Sequence, residues 1–421
     1  MPMTTATDDR PPVVSPLRVP AFRSLWAGDS VSQLAHQVTQ FLLPLLAVTV
    51  VHTSGFGVGV VSASQFLPVI FLSLVAGSYA NKVSTRALLV LCNVLRGVAL
   101  GLMGVVCAFT GLSFWLLVAA AVVIGCVAVF HDVGFHAAFP RVLTTEQLTP
   151  GNGLYEASYS AAQMAGPALA GYAVHSLGLS TLMSVTAVLF LASALCFLPL
   201  RLPALADHPD TKDVSVRAGL AFIWRTRAIR DLCVQSALYN LHEQAFLTAF
   251  MIYGVRSLHL SGGALGLVMG LGSLGAVAGS LVIGRIGARL HVGAALSASL
   301  VLGGLSLFVG ALVATPGSAA PVLAAAFVVN GAALASYNVF ALSLRGALPP
   351  PEHLGIVTAG YRLVSRAPMP LGALLGGVLV ETVGGATAVT VIALSLTLAA
   401  TSLLRSPLRR VRRLGTATSA L

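Results

Sequence analysis

Charge is scarce in this chain. Asp, Glu, Lys and Arg make up 9% of its 421 residues, where a soluble domain carries about 25%. Lysine is nearly missing, with only Lys82 and Lys212. The five cysteines (Cys92, Cys107, Cys126, Cys196 and Cys233) stand singly inside apolar runs, in neither disulfide nor metal-binding spacing. No P-loop is present, which argues against an ATP-driven pump, and no His-x-x-x-His pair suggests a metal. No Gly-x-Ser-x-Gly elbow supports a hydrolase. The expectation is therefore no enzymatic activity, no cofactor and no metal.

Apolar length is what the chain has instead. Hydrophobic residues make up 57% of it, in runs at 25–51, 57–80, 87–109, 112–137, 153–176, 181–200, 232–256, 264–284, 292–314, 320–344, 355–380 and 385–404. These runs are continuous rather than alternating and far exceed the ~10 residues of a barrel strand. They predict an all-α membrane protein with twelve transmembrane helices. Met1–Ser24 is polar and carries Pro11, Pro12, Pro16 and Pro20; it reads as a disordered cytosolic tail, not a signal peptide. An even number of spans puts both termini on one side. With the N-terminus inside, nearly every arginine falls on cytosolic segments and only Arg256 on the opposite loops, which fixes the topology in a cell membrane. The same distribution accounts for the net charge of +11 without nucleic acid. The basic cluster Arg405–Arg413 suits anionic lipid headgroups.

Residues 201–231 form the one substantial polar segment, with Asp207, Asp210, Lys212 and Asp213 followed by an amphipathic stretch around Trp224. They read as a cytosolic linker with an interfacial helix. It separates a six-helix bundle at 25–200 from a second at 232–404, with 1–24 and 405–421 as tails. The two halves repeat. Ala21–Leu25 echoes Ala228–Leu232, 207 residues on, and the same shift pairs Gln37 with Gln244, Ser54-Gly55 with Ser261-Gly262, Gly59 with Gly266 and Gly77 with Gly284. Further on the shift becomes 206, pairing Gly166 with Gly372. Both copies have one orientation, as in parallel-repeat transporters.

The first run carries Asp29, Gln33, His36, Gln37 and Gln40, which fall within an arc of about 100° on a helix. An ionisable group at the centre of a lone membrane helix costs on the order of 3 kcal/mol. Such a stripe must face protein or a wet cavity. The seventh run repeats it with Ser236, Tyr239, Asn240 and Glu243. The 207 shift places Glu243 opposite His36, so two titratable groups occupy equivalent mid-depth positions, where transporter substrate and ion sites are expected.

Gly77-Ser-Tyr-Ala-Asn81-Lys82-Val-Ser-Thr-Arg86 resembles the loop 2–3 signature of the major facilitator superfamily, Gly-x-x-x-Asp-Arg/Lys-x-x-x-Arg. In that family the loop latches the two bundles on the cytosolic side; Asn81 in place of Asp leaves a hydrogen-bonded latch rather than a charged one. The fifth run, Gly153-x8-Ala162-x3-Gly166-Pro167-x2-Ala170-Gly171, resembles the antiporter signature of the exporter branches, although small residues at this spacing also serve ordinary packing. Asp132-Val133 with Pro140, Asn152…Glu156…Gln163, Tyr361-Arg362 and Pro370-Leu-Gly372 are similar to the macrolide-efflux and enterobactin-exporter-like branch. The resemblance spans nearly the whole chain and implies two pseudo-symmetric bundles with spans 1, 4, 7 and 10 lining a central cavity.

On that reading the cavity and proton-coupling candidates are Glu243, His36, Asp132, Gln33, Gln37, Tyr239, Asn240, His131 and Asn338. Glu243 could instead be a buried arginine partner, His36 a packing residue, and Asp132 the ion-pair partner of Arg96. Gating candidates are Gly77, Asn81, Lys82, Arg86, Glu156, Gly166, Pro167 and Arg362, with Arg366 and Asp29 as residues that could snorkel to headgroups. The expected activity is proton-coupled efflux of a small hydrophobic or amphiphilic compound, driven by a proton gradient through a monomer that binds no nucleic acid. Uptake of a nutrient or siderophore through the same fold, and a non-transporting receptor or scaffold, are the alternatives.

Overall fold

A computed structural model describes residues 15–80, 83–202, 216–349, 354–406 and 408. Among these the regular structure is helical. The first half comprises α1 (Pro20–Thr49), α2 (Gly55–Ala80), α3 (Thr85–Phe109), α4 (Phe114–Val142), α5 (Thr145–Leu177) and α6 (Leu179–Phe197). A short helix, α7 (Val216–Arg225), leads into α8 (Arg227–Arg256), α9 (Gly262–Ile286), α10 (Val292–Val313), α11 (Ala319–Ala347), α12 (Leu354–Arg366), α13 (Met369–Val383) and α14 (Gly385–Ala400). Nine helical stretches among the described residues are long and apolar enough to cross a membrane. Helices α1, α5 and α8 are equally long, at 30, 33 and 30 residues, but carry polar faces that dilute their hydropathy. Twelve apolar runs thus correspond to long helices, or to a broken pair, although α5 starts at Thr145, well before the expected 153.

The broken pair is the eleventh run. Chain geometry changes between α12 and α13 at Ala367-Pro368, because Pro368 and Pro370 supply no N–H to the preceding turn. One carbonyl at this break, that of Ser365, accepts a 2.7 Å hydrogen bond from Asn240 Nδ2 of α8. The tails also differ from expectation. Helical structure is present before residue 24: Pro16–Arg18 makes a 3-10 turn and α1 starts at Pro20, whose fixed φ suits a first helical turn. Phe22 is buried there, edge-on to Phe139 of α4 at 5.9 Å. Past residue 404, Ser406 donates to Asp231 at 2.6 Å and Leu408 is buried. The basic run 409–413 and residues 1–14 lie outside the described residues, as does 203–215 of the linker; α7 packs beside α8 and α12.

Helices α1–α6 pack on one another, as do α8–α14, with α1 touching α2, α4, α5 and α6. The repeat holds at the level of backbone geometry. Ser54 and Ser261 cap α2 and α9 in the same way, accepting from Gly57 N at 3.0 Å and Ala264 N at 3.2 Å. Gly178 and Gly384 open α6 and α14 with φ of 80° and 82°, a left-handed conformation that glycine adopts without penalty.

Two helix pairs, α2 with α13 and α5 with α9, make the most extensive join between the halves, with smaller contacts of α8 on α1 and α2 and of α12 on α2. A Cβ added to Gly377 would lie 2.2 Å from the Gly55 carbonyl oxygen; one added to Gly171 would lie 2.6 Å from that of Gly262. The repeat shifts convert one contact into the other. Likewise a Cβ on Gly59 would meet the Ala373 carbonyl at 2.8 Å, and one on Gly266 the Pro167 carbonyl at 2.2 Å. These glycines sit toward the end of the molecule that carries the 50–54 and 257–261 turns. Arg256 adds a hydrogen bond there, from the end of α8 to the Thr53 carbonyl. The halves therefore interlock backbone to backbone at the 50–54 end. The opposite end carries the described chain termini.

Candidate functional site

The polar stripes of α1 and α8 lie where the halves meet their own cores. Asp29, Gln33 and Gln37 are buried, while His36 and Gln40 are half-buried and joined by a 3.0 Å contact between His36 Nε2 and Gln40 Nε2. On α8, the Ser236 hydroxyl meets those of Tyr337 at 3.2 Å and of Tyr361. Arg345 stacks over the Tyr361 ring at 4.1 Å. Tyr239 and Asn330 exchange hydrogen bonds of 3.5 and 3.4 Å. Tyr239 and Tyr337 are buried within the second bundle. They tie α8 to α11 and are not open cavity walls. Asn240 is likewise occupied by the α12–α13 break. Glu243 is half-buried and has neither a hydrogen bond nor an ion pair among the described residues, so it is not an arginine's buried partner here. Its charge acts on Tyr239 one turn earlier.

Nearer the terminal end, charged side chains from both halves face each other. Asp132 and His136 of α4, Glu156 of α5, Asn338 of α11, and Arg362 and Arg366 of α12 are all exposed. Arg362 Nη1 lies 3.2 Å from His136 Nε2, a direct link between halves. Arg366 interacts electrostatically with Tyr159, Asp132, Tyr155 and Glu156, and its charge also reaches His36. An aromatic stack backs this gallery. Phe135 lies parallel to Tyr155 at 5.2 Å, Tyr155 to Tyr159 at 6.2 Å, and His136 meets Tyr155 edge-on at 5.6 Å. The sequence signalled Tyr155 and Tyr159 only through their i,i+4 spacing, and Arg366 by its depth beyond Tyr361. Neither is distinctive alone.

Three expectations are corrected. His131 is only 1% exposed, with its ring edge-on to Phe197 of α6 at 5.9 Å; its face of α4 packs into the first bundle, away from the gallery. Arg96 does not pair with Asp132. It donates to Ser32 Oγ at 3.2 Å and to the Val127 carbonyl at 3.3 Å, and lies over the Phe190 ring at 5.4 Å. Asp29 does not snorkel to headgroups, being 2% exposed.

Of the gating candidates, Asn81 and Lys82 of the loop 2–3 latch lie outside the described residues. Gly77 falls in the last turn of α2 and Arg86 is exposed in the first turn of α3. Gly166 lets α5 approach α1, since a Cβ there would sit 2.5 Å from Gln37 Cβ. Pro167 presents its carbonyl to Gly266 at the junction between halves. The residues brought together are thus His36, Asp132, His136, Glu156, Arg362 and Arg366, with Glu243 standing apart.

Comparison with known proteins agrees with this architecture. Residues 12–420 match the family described as transmembrane secretion effector, within the major facilitator superfamily. The chain belongs to that family. It is 29% identical over 427 aligned positions to the multidrug efflux pump Tap of Mycobacterium tuberculosis (strain ATCC 25618 / H37Rv), covering 96% of each chain. It is 26% identical over 233 positions to the multidrug efflux pump Tap of Mycolicibacterium fortuitum, covering 52% of this chain and 54% of that one. Among solved structures, the nucleoside transporter NupG superposes with a TM-score of 0.73 at 13% identity, over 91% of this chain and 98% of that one. A bacterial homologue of ferroportin in an inward-facing state gives 0.71 at 18% identity, over 93% and 99%. These likenesses define the fold. The protein is a multi-pass membrane transporter of the major facilitator type.

Proposed function

We propose that this protein exports small amphiphilic compounds from the cell in exchange for protons, by alternating access of its two bundles. It would sit in the cell membrane with both termini in the cytosol, where its arginine-rich segments belong. The observation that carries the reading is the uneven join between the halves. Glycine-mediated backbone contacts lock the 50–54 end, whereas the terminal end meets through exposed charged side chains and the Arg362–His136 link. A join of this kind is what rocking about a mid-depth site requires. On this reading the terminal end is the one that opens toward the cytosol to receive cargo from inside.

Efflux of drug-like molecules is carried over from the two Tap relatives, whose names describe multidrug pumps. Glu243, unpartnered and half-buried at mid-depth, is the group in the second bundle that can load a proton, and His36 and Asp132 are the candidates in the first. The stacked Phe135, Tyr155 and Tyr159 offer flat apolar surface beside Arg362 and Arg366, suited to an aromatic compound with a polar edge. The test is accumulation of ethidium in cells expressing wild type or Glu243→Gln. Wild type should lower accumulation at least tenfold, and a protonophore should abolish the effect. Glu243→Gln should accumulate like cells without the protein; undiminished, protonophore-sensitive efflux by that variant removes Glu243 from the mechanism.

A further inference from the structure

A second ionisable centre lies buried inside the first bundle. Arg96 of α3 is 2% exposed and all its neighbours are neutral: Ser32 Oγ at 3.2 Å, the Val127 carbonyl at 3.3 Å and the Phe190 ring. Its Nε has no partner. Ser32 in turn donates to Asn93 Oδ1 at 2.8 Å, and Asn93 Nδ2 donates to the Leu89 carbonyl at 2.9 Å. The chain of bonds is therefore directional and holds Arg96 on Ser32. A guanidinium does not give up its proton in a protein, and a buried fixed charge ordinarily finds a counter-charge.

The counter-charge is one turn away. Asp29 precedes Ser32 by three residues on α1, which puts both on one helical face. It too is 2% exposed, its Oδ1 has no partner, and no ion pair joins it to Arg96. Two groups able to neutralise each other act on one another across a dry interior without pairing. That arrangement is stable when the carboxyl carries a proton. The other groups acting on Asp29 and Arg96 are few. Asp132 of α4 acts on both, Cys92 of α3 on Arg96, and Gln33 of α1 on Asp29. Tyr155 of α5 senses Asp29, and His131 of α4 and His36 of α1 sense Arg96. From α6 comes the ring of Phe190. Asp132 alone among the acids here is exposed toward the gallery.

We propose that Asp29 is the proton-carrying carboxyl of the first bundle, and that Arg96 moves from Ser32 and the Val127 carbonyl onto Asp29 when the proton leaves. The proton departs to water by way of Asp132. The charge left on Asp29 is matched by the guanidinium already present, so the pair passes from one net positive charge to none as the proton leaves, and α1 and α3 are drawn together. Arg96 is a positioning residue, acting on the proton through Asp29. The inference rests on the proton-coupled reading above and adds its second proton site.

Infrared spectroscopy of the purified full chain in lipid decides it without any substrate. Titration from acid to alkaline pH should remove a protonated-carboxyl band in wild type, and that band should be missing in the isosteric Asp29→Asn; persistence of the full band overturns the assignment. Arg96→Gln should move its midpoint upward by about one pH unit or more, since an opposite charge within a few ångströms lowers a carboxyl by that much; an unmoved midpoint overturns the partner exchange. In proteoliposomes Asp29→Asn should lose ethidium transport driven by a pH gradient at least tenfold, yet keep exchange of labelled for unlabelled ethidium. Equal loss of both overturns the coupling role. If wild type moves no ethidium in either assay, the export reading fails, while the infrared result still decides Asp29.

Discussion

His52 and His259 occupy the same place in the two halves, 207 residues apart, and both adopt left-handed backbone, with φ of 50° and 52°. Each follows a long polar-striped helix, α1 or α8, and each precedes the serine that caps the next. No other non-glycine residues among those described have positive φ. The turn reverses the chain in so few residues that one of them must take this conformation, whatever its side chain. His52 also lines a shallow pocket of about 510 Å³ with Thr49, Thr53 and Arg256, so its turn forms part of the junction at that end.

The left-handed conformation costs a non-glycine residue roughly 1–2 kcal/mol, and more for a β-branched one. Glycine avoids that cost but loses about 0.5–1 kcal/mol through the freer unfolded chain. His52→Gly should therefore leave stability nearly unchanged, while His52→Val lowers it by about 2 kcal/mol. The pair of substitutions at His259 should behave alike. Thermal unfolding in detergent, followed by circular dichroism, compares the four; equal midpoints for His52→Gly and His52→Val would show that the turn is not so constrained.

The backbone contacts between halves predict a different phenotype. Alanine at Gly266 or Gly377 places a Cβ 2.2 Å from a carbonyl oxygen of the other half. Neither helix can yield alone, because the neighbour is backbone. The halves must part at the 50–54 end, leaving each bundle's own core intact. Gly266→Ala and Gly377→Ala should cut transport at least tenfold and make a cysteine at Thr53 more reactive to an impermeant thiol reagent. Gly153→Ala, where no atom lies within 4 Å, is the neutral control.

Asn240 meets the backbone where the eleventh run breaks. Its amide meets the Ser365 carbonyl at 2.7 Å where the helix breaks. Removing a partner from a buried polar group costs about 1–3 kcal/mol. Asn240→Ala should destabilise by that amount, and Asn240→Gln should not restore it, since the longer side chain overshoots. Comparison of unfolding midpoints for Asn240→Ala and Ser365→Ala, which leaves the carbonyl in place, checks the assignment. Loss of stability in the first and little in the second is expected.

How much of this was legible follows the physics of each signal. Run lengths and the 207-residue echo report on apolar thickness and chain reversal, which are local, and the helices fall where the runs lie. The change to 206 is visible again in Gly178 and Gly384. Pro368 and Pro370 were equally plain, yet the eleventh run reads as one span because apolarity continues through the break. Partners across space were not legible. Arg96 must satisfy its charge somewhere, but sequence alone cannot tell Asp132 from Ser32, a backbone carbonyl and Phe190. Asp29 sits near the start of its run, where snorkelling is the natural expectation; burial follows from α1 starting at Pro20, which moves Asp29 a full two turns into the helix.

The last prediction concerns the only hydrogen bond described between exposed side chains of the two halves. Arg362 can only donate, so His136 must accept through Nε2, and that requires a neutral ring. Protonation removes the acceptor and sets two cations in contact. The link is therefore present at alkaline pH and lost as pH falls through the histidine's range. An exposed bond of this kind is worth no more than about 1 kcal/mol, which corresponds to a shift of less than tenfold in the populations it biases. Spin labels at Arg86 and Arg285, both exposed at the terminal end, report the separation of the halves. Acidification should lengthen the mean distance or broaden its distribution in wild type. His136→Gln, which can accept at any pH, should be insensitive to pH over the same interval. Arg362→Ala should resemble acidified wild type throughout, and a wild-type distribution unchanged between acid and alkaline pH would mean that this contact does not hold the halves together.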